Sequence, residues 1–210
     1  MTGAEGAHLP WEIMASVQHI TIEATESTAA GFYDEVLGID SRVRVQVSQD
    51  PTSGFRGFVL GLVVAQPATV DSLMAGAIEA GAASLKPPRK SLWGYGGAVR
   101  APDGTVVTCA SSSKKSTGPG TREIDELVLQ LGVADVAASR QFYTEHGFSV
   151  TKSYGRKYVE FDTGPVSLTL NGRDALAKTV GLSPAGSGSH RLVVGGDTDS
   201  FVDPDGYVWA

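Results

Sequence analysis

The stretch Leu127-Val128-Leu129-Gln130-Leu131-Gly132-Val133, running into Asp135 to Gly147 with Phe142-Tyr143 and then His146-Gly147-Phe148, decides the fold of this chain. Its first part alternates with the period of a half-buried strand. Its second part places Val136, Ser139, Phe142 and Tyr143 on one face at helical spacing. Asp135 can cap that helix and Gly147 suits the left-handed residue after it, so strand, helix and strand follow in order.

The same order stands upstream. Val17-Gln18-His19-Ile20-Thr21-Ile22-Glu23-Ala24 alternates likewise, and Ser27 to Gly38 carries Phe32-Tyr33 before Leu37-Gly38. Ser27 or Thr28 is the expected cap of this first helix. Both copies also close alike, with Pro102-Asp103-Gly104 before Thr105-Val106-Val107 and Pro204-Asp205-Gly206 before Tyr207-Val208-Trp209. Proline presets φ and glycine accepts a positive φ, so each is a tight turn between strands. The Phe-Tyr pairs lie 110 residues apart and the Pro-Asp-Gly turns 102, so the second copy is eight residues shorter between its landmarks.

Between the landmarks, the first copy offers strands near 42–47 and 55–64, a helix over 69–80 and a strand near 97–100. The second offers strands near 150–154, 157–162 and 166–170 and a short helix over 173–179. The expected organisation is an N-terminal arm (1–15), a first βαβββ module (16–110), an exposed linker rich in Ser, Lys, Gly and Pro (111–122) and a second βαβββ module (123–210). The fold class is α+β.

Composition narrows the function. The chain has 210 residues, 41% of them hydrophobic, and 26 glycines, which suit a turn-rich protein with a buried core and exclude disorder. With 23 acids against 17 bases the net charge is −6, which argues against a broad nucleic-acid or anionic-lipid footprint. The lone cysteine, Cys109, excludes an intrachain disulfide and a multi-cysteine metal site. With no signal-peptide pattern and no apolar run of membrane-spanning length, the expectation is a cytoplasmic monomer or homodimer that binds a small molecule.

A strand with a polar start, a helix ending in Phe-Tyr and a Leu-Gly or Gly-Phe turn, and a closing Pro-Asp-Gly hairpin, present twice, resemble the glyoxalase/bleomycin-resistance/extradiol-dioxygenase (vicinal oxygen chelate) superfamily. The resemblance covers nearly all of residues 16–210. It implies paired modules that form a cup around a small-molecule site. It also implies a divalent metal held by residues on the first and last strands of the modules. On the first strand the alternation Ile20, Ile22, Ala24 puts that position at His19, whereas counting back from Phe32 puts it at Gln18; the alternation is preferred. The other family positions fall on Thr108, Val128 and Ala210. Only His19 is a metal-binding side chain, and a divalent ion generally needs about three protein ligands. Gln18, Glu126, Gln130 and His190 are the neighbours that could substitute. The expectation is therefore no cofactor and binding of a small, partly aromatic molecule without the family metal. The alternatives are a metal-dependent lyase, isomerase or dioxygenase with a rebuilt ligand set, or a non-catalytic interaction module.

His19, beside Thr21 and Glu23, is the candidate catalytic and ligand-binding residue, able to donate a hydrogen bond or shuttle a proton. A hydrogen-bonded structural histidine explains it equally well. Trp93 and Tyr95, set among glycines in Leu92-Trp93-Gly94-Tyr95-Gly96-Gly97, are candidates for a pocket wall or lid. Tyr154, Arg156 and Tyr158 would share one strand face, combining stacking with a cation for a carboxylate or phenolate. The run Gly186-Ser187-Gly188-Ser189 before His190 and Arg191 has the composition of an anion nest, but a flexible loop is the expected reading. Cys109 should point away from the cup as a buried thiol. Hydrolase, NTPase and dehydrogenase signatures are absent from the sequence.

Overall fold

The computed structural model describes residues 15–210. The expected arm therefore lies outside the described residues except for Ala15, whose N–H donates to Gly147 O at 3.2 Å. The described chain opens with β1 (His19–Ala24), α1 (Ala29–Gly31, continued as a π-helical stretch over Phe32–Val36), β2 (Val43–Val47) and the short β3 (Thr52–Gly54). A complete βαβββ unit follows: β4 (Phe58–Val63), α2 (Pro67–Glu79), β5 (Ala83–Ser91), β6 (Gly94–Arg100) and β7 (Val106–Ser111). A second comprises β8 (Glu126–Val133), α3 (Val136–Glu145), β9 (Ser149–Ser153), β10 (Tyr158–Asp162) and β11 (Ser167–Gly172). Last come α4 (Arg173–Thr179), β12 (Gly186–Gly188), β13 (Leu192–Gly195), β14 (Phe201–Val202) and β15 (Val208–Trp209).

The two complete units form one eight-stranded sheet in the order β5-β6-β7-β4-β8-β11-β10-β9. Its centre is an antiparallel seam between β4 and β8, with Leu60 opposite Leu129, and each unit's first strand runs parallel to its last. The ends of the chain build a five-stranded sheet, β14-β15-β13-β1-β2, around a second antiparallel seam that pairs Ile20 with Val194. Each half of the sequence thus contributes to both sheets.

One core joins the two sheets. Leu60, Leu62, Leu129, Leu131 and Leu168 from the larger sheet share it with Ile20, Ile22, Val194 and Trp209 from the smaller. Helix α2 adds Val70, Leu73, Met74 and Ala77, while the Phe-Tyr helices add Tyr33 and Tyr143. Each fully buried aliphatic side chain of this kind contributes roughly 1.5–3 kcal/mol of transfer free energy. Around Tyr143 the rings of Phe148, Phe161, Phe201 and Trp209 stand 5.3 to 6.3 Å away, centre to centre, mostly edge to face, an arrangement that the ring quadrupoles favour.

The turn residues behave as their chemistry requires. Gly38 and Gly147 after the Phe-Tyr helices have φ of 70° and 86°, and Gly104 and Gly206 in the hairpins have φ of 92° and 87°. Asp135 caps α3, its Oδ1 accepting from Ala137 N at 2.9 Å and Ala138 N at 3.3 Å. The expected cap of the first helix is not made: Thr28 has helical backbone angles and no side-chain bond to the helix. Its hydroxyl donates to Glu26 instead. No helix among the described residues is long and apolar enough to cross a membrane.

Candidate functional site on the larger sheet

The face of the eight-stranded sheet turned away from the core is set by strict alternation. Leu60, Val99, Val107 and Cys109 enter the core, so Val59, Ala98, Val106 and Thr108 point the other way. Helix α4 lies on one end of that outer face, where Leu176, Ala177 and Val180 form a second apolar cluster with Val59, Ala98 and Val106. Lys86 of β5 fastens the helix by donating from Nζ to the carbonyls of Lys178, at 3.2 Å, and Thr179, at 2.5 Å. A cation at the carbonyl end of a helix satisfies acceptors that have no partner within the helix.

Beyond α4 the face stays open. Register places Lys86, Ala98, Thr108, Gly61, Val128 and Ser167 in one row across six strands. A cavity of ≈ 280 Å³ stands over the β5–β7 part, with Lys86, Arg89, Trp93, Ala98, Thr108 and Thr179 among its lining residues. Toward β8 the floor becomes polar. A Cβ on Gly61 would lie 2.9 Å from Gln130 Nε2 and 3.6 Å from Thr108 Oγ1, so the absent side chain makes room for the Gln130 amide. That amide makes no hydrogen bond to another described residue, whereas Thr108 Oγ1 donates weakly, at 3.4 Å, to Leu60 O. Farther along, Ser167 Oγ donates to Glu126, and Tyr158 Oη donates to Glu160 Oε2 at 2.8 Å. Burial, then the neighbouring carboxylates, push the Tyr158 hydroxyl well above the usual phenol range.

The residues singled out from the sequence do not converge on one point. His19 is on the smaller sheet, sharing with Thr21 and Glu23 the face opposite the buried Ile20 and Ile22. Its ring lies against Gly195, where a Cβ would overlap it, and Nε2 is 3.1 Å from Arg44 Nη1. Burial first, then the Arg44 charge, lower its pKa below the ordinary 6.5. Trp93 stands at the rim of the cavity, 90% exposed, at the tip of the β5–β6 hairpin. Tyr95 borders the cavity, but its hydroxyl donates to Asp71 of α2 at 2.7 Å.

Tyr154, Arg156 and Tyr158 do not share a strand face, because β9 ends at Ser153 and the chain turns before Tyr158. The two tyrosine rings remain neighbours, 5.9 Å between centres, while Arg156 is drawn to Asp135 at the start of α3, 3.2 Å away. The glycine-serine run is not a loose loop: β12 pairs with β3, and Ser187 meets Ser53 at 2.8 Å. Behind it both ring nitrogens of His190 face backbone carbonyls, Nδ1 2.5 Å from Arg56 O and Nε2 2.9 Å from Asp205 O. The ring stacks on Tyr207, whose hydroxyl lies between Gly57 O at 2.7 Å and Gly132 O at 3.1 Å. His190 therefore holds two chain segments together, a role its sequence surroundings did not signal.

The family's metal positions are also dispersed. Thr108 and Val128 flank Gly61 on the larger sheet, while His19 and Ala210 belong to the smaller one. Of the substitutes, Gln18 bonds to Ser16 and Asp197, Glu126 to Ser167, and His190 to carbonyls. Among the described residues, no group of three or more His, Cys, Asp and Glu side chains could share a metal ion. On the larger sheet a hydroxyl and an isopropyl group occupy these positions. That donor set does not fit the divalent metal that the resemblance implies.

This arrangement defines a class: an α+β protein of tandem βαβββ units whose larger sheet leaves one face open. Its fold is similar to that of solved glyoxalase I structures. Glyoxalase I from Zea mays superposes with a TM-score of 0.58 at 14% sequence identity, over 93% of this chain and 91% of the maize chain. A candidate dioxygenase from Bacillus subtilis superposes with a TM-score of 0.51 at 10% identity, over 86% of this chain and 69% of that one. No family model matches the sequence. No curated protein matches it either. At these identities the likeness is one of fold, and function must be argued from the site.

Proposed function

We propose that this protein binds a small, partly aromatic molecule on the open face of the eight-stranded sheet, beside Thr108 and Gln130, without the divalent metal of the family. The observation that carries this reading is the Gln130 amide, which lies over Gly61, makes no hydrogen bond to another described residue and offers both a donor and an acceptor to a ligand. Next to it, Gly96 and Ala110 line a floor without bulky side chains, on which a flat ring can rest. Trp93 at the rim supplies an aromatic surface, and Arg89 a cation for an acidic substituent. His19 takes no part in this site, since it belongs to the other sheet.

The test is a thermal-shift screen of small phenols, quinones and heteroaromatic acids with and without chelator, accompanied by metal analysis of protein purified without chelator. The reading expects a ligand whose stabilisation is unchanged by chelator. It expects Gln130→Ala to weaken that ligand about tenfold, the cost of roughly one hydrogen bond, while leaving the unliganded melting temperature in place. Stoichiometric metal whose removal abolishes binding would establish a rebuilt metal site instead. A ligand indifferent to Gln130→Ala would move the site elsewhere.

A further inference from the structure

We propose that the tip of the β5–β6 hairpin docks this protein peripherally on an anionic lipid surface, with Leu92 and Trp93 inserted at the headgroup level. Leu92 and Trp93 are consecutive, and at 87% and 90% exposed they far exceed the other exposed large apolar side chains among the described residues, the next being Tyr154 at 60%. The tip is a built protrusion and not a loose loop. Lys90 pairs with Tyr95 and Ser91 with Gly94, Ser91 Oγ accepts from Trp93 N at 3.2 Å, and Gly94 lets the Ser111 carbonyl pack where a Cβ would overlap it.

Charge selects the partner. The whole chain is acidic, but residues 80–122 hold seven Lys and Arg against one acid, Asp103, a local surplus of six positive charges in a chain of net charge −6. Four of the seven gather near the tip. Arg89 and Lys90 lead up to it on β5, and Lys114, followed by Lys115, donates from Nζ to Leu92 O at 3.0 Å. Asp103 lies on the Ala101–Thr105 turn at the opposite end of β6 from this tip. Asp71 of α2, which accepts from Tyr95 Oη, is already engaged.

Two consecutive side chains on a narrow hairpin offer far less area than the roughly 800 Å² per partner of a stable protein interface. They suit a bilayer, where tryptophan favours the headgroup region and each nearby lysine or arginine adds attraction to acidic lipid. Trp93 and Arg89 serve in both readings, but Leu92, Lys114 and Lys115 belong to this one alone, and vesicle association is measured separately from ligand binding, so either reading can fail while the other stands.

The experiment is flotation of the full chain with vesicles of phosphatidylcholine alone and of equimolar phosphatidylcholine and phosphatidylglycerol. The proposal expects association with the anionic vesicles only, weakened by salt, with a blue shift of tryptophan emission. Trp93→Phe should keep the association and lose the shift, although Trp11 and Trp209 remain. Replacing Leu92 and Trp93 together by serine should reduce association at least tenfold, and Lys114→Ala or Lys115→Ala about fivefold each. Absence of association with anionic vesicles would overturn the proposal. So would equal affinity of wild type and the double serine variant, which would mark simple polyanion attraction, or self-association of the full chain that the double serine variant abolishes, which would give the tip to a second copy.

Discussion

Tyr143 Oη donates to Asp203 Oδ2 at 2.8 Å, tying the Phe-Tyr helix of the second repeat to its closing hairpin, and Tyr33 does the same to Asp103 at 3.0 Å in the first. The two bonds are not superimposable. Asp203 stands just before Pro204, whereas Asp103 stands just after Pro102, at the position matching Asp205. Asp103 is also engaged by Arg56, 3.5 Å away, and by Thr105. Among the described residues Asp203 has no such cation: its Oδ1 is held by the backbone N–H groups of Asp205 and Tyr207 at 2.9 and 2.8 Å.

Removing one donor from a buried carboxylate costs about 1–3 kcal/mol. Tyr143→Phe should therefore lower the melting temperature by about 2–4 °C per kcal/mol lost, as read by thermal or chemical denaturation. The substitution also removes the Oη that accepts from Trp209 Nε1 at 3.3 Å. A double-mutant cycle with Asp203→Asn should show coupling between the two positions. Additive effects would mean that the bond contributes nothing of its own.

Burial is the largest influence on Asp203 and raises its pKa above the ordinary 3.8. The folded protein then holds the proton more tightly than the unfolded chain. The resulting stabilisation is fully present below the unfolded value and is lost as pH rises through the folded one. Across that window wild-type stability should decline more steeply with pH than that of Asp203→Asn, measured by urea denaturation at a series of pH values. Parallel profiles would contradict the assignment.

His19 should titrate below 6.5 by NMR, and Arg44→Ala should move it upward by removing the adjacent cation. Gly195→Ala should displace the ring and alter its chemical shifts, because the new methyl group would occupy the ring's place. An unchanged titration in Arg44→Ala would leave burial as the sole cause.

Cys109 is 1% exposed on the core side of β7, and burial pushes its thiol up to about 12. At neutral pH the native protein should be almost inert to a thiol reagent and should react with one equivalent once unfolded. Rapid modification of the native protein would show that β7 opens locally.

Local chemistry made much of this fold readable. Asp135, Gly147 and the Pro-Asp-Gly turns act through neighbours a few residues away, so helix α3 and both hairpins follow from short stretches of sequence. Strand β5 is not legible in the sequence, because Pro87-Pro88 among lysine and arginine reads as a loop. It is an edge strand whose register shifts around Lys86, where prolines without N–H groups are tolerated. Strand pairing was beyond local reading: nothing in the run Phe58–Val63 announces that it, and not β1, lies against β8. The candidate site depends on that pairing, since only the register of Gly61 with Val128 and Thr108 brings the Gln130 amide to the centre of the open face.

The seam between β1 and β13 joins Ile20 to Val194, 174 positions later, whereas β4 meets β8 with Leu60 and Leu129 only 69 apart. Closing the longer loop costs more chain entropy, and the sheet it completes has five strands instead of eight to repay it. Amide hydrogens of the smaller sheet should accordingly exchange with solvent at a lower opening free energy than those of β4 and β8. Strands β1 and β13 would then act as a clasp that can unfasten while the eight-stranded sheet stays intact.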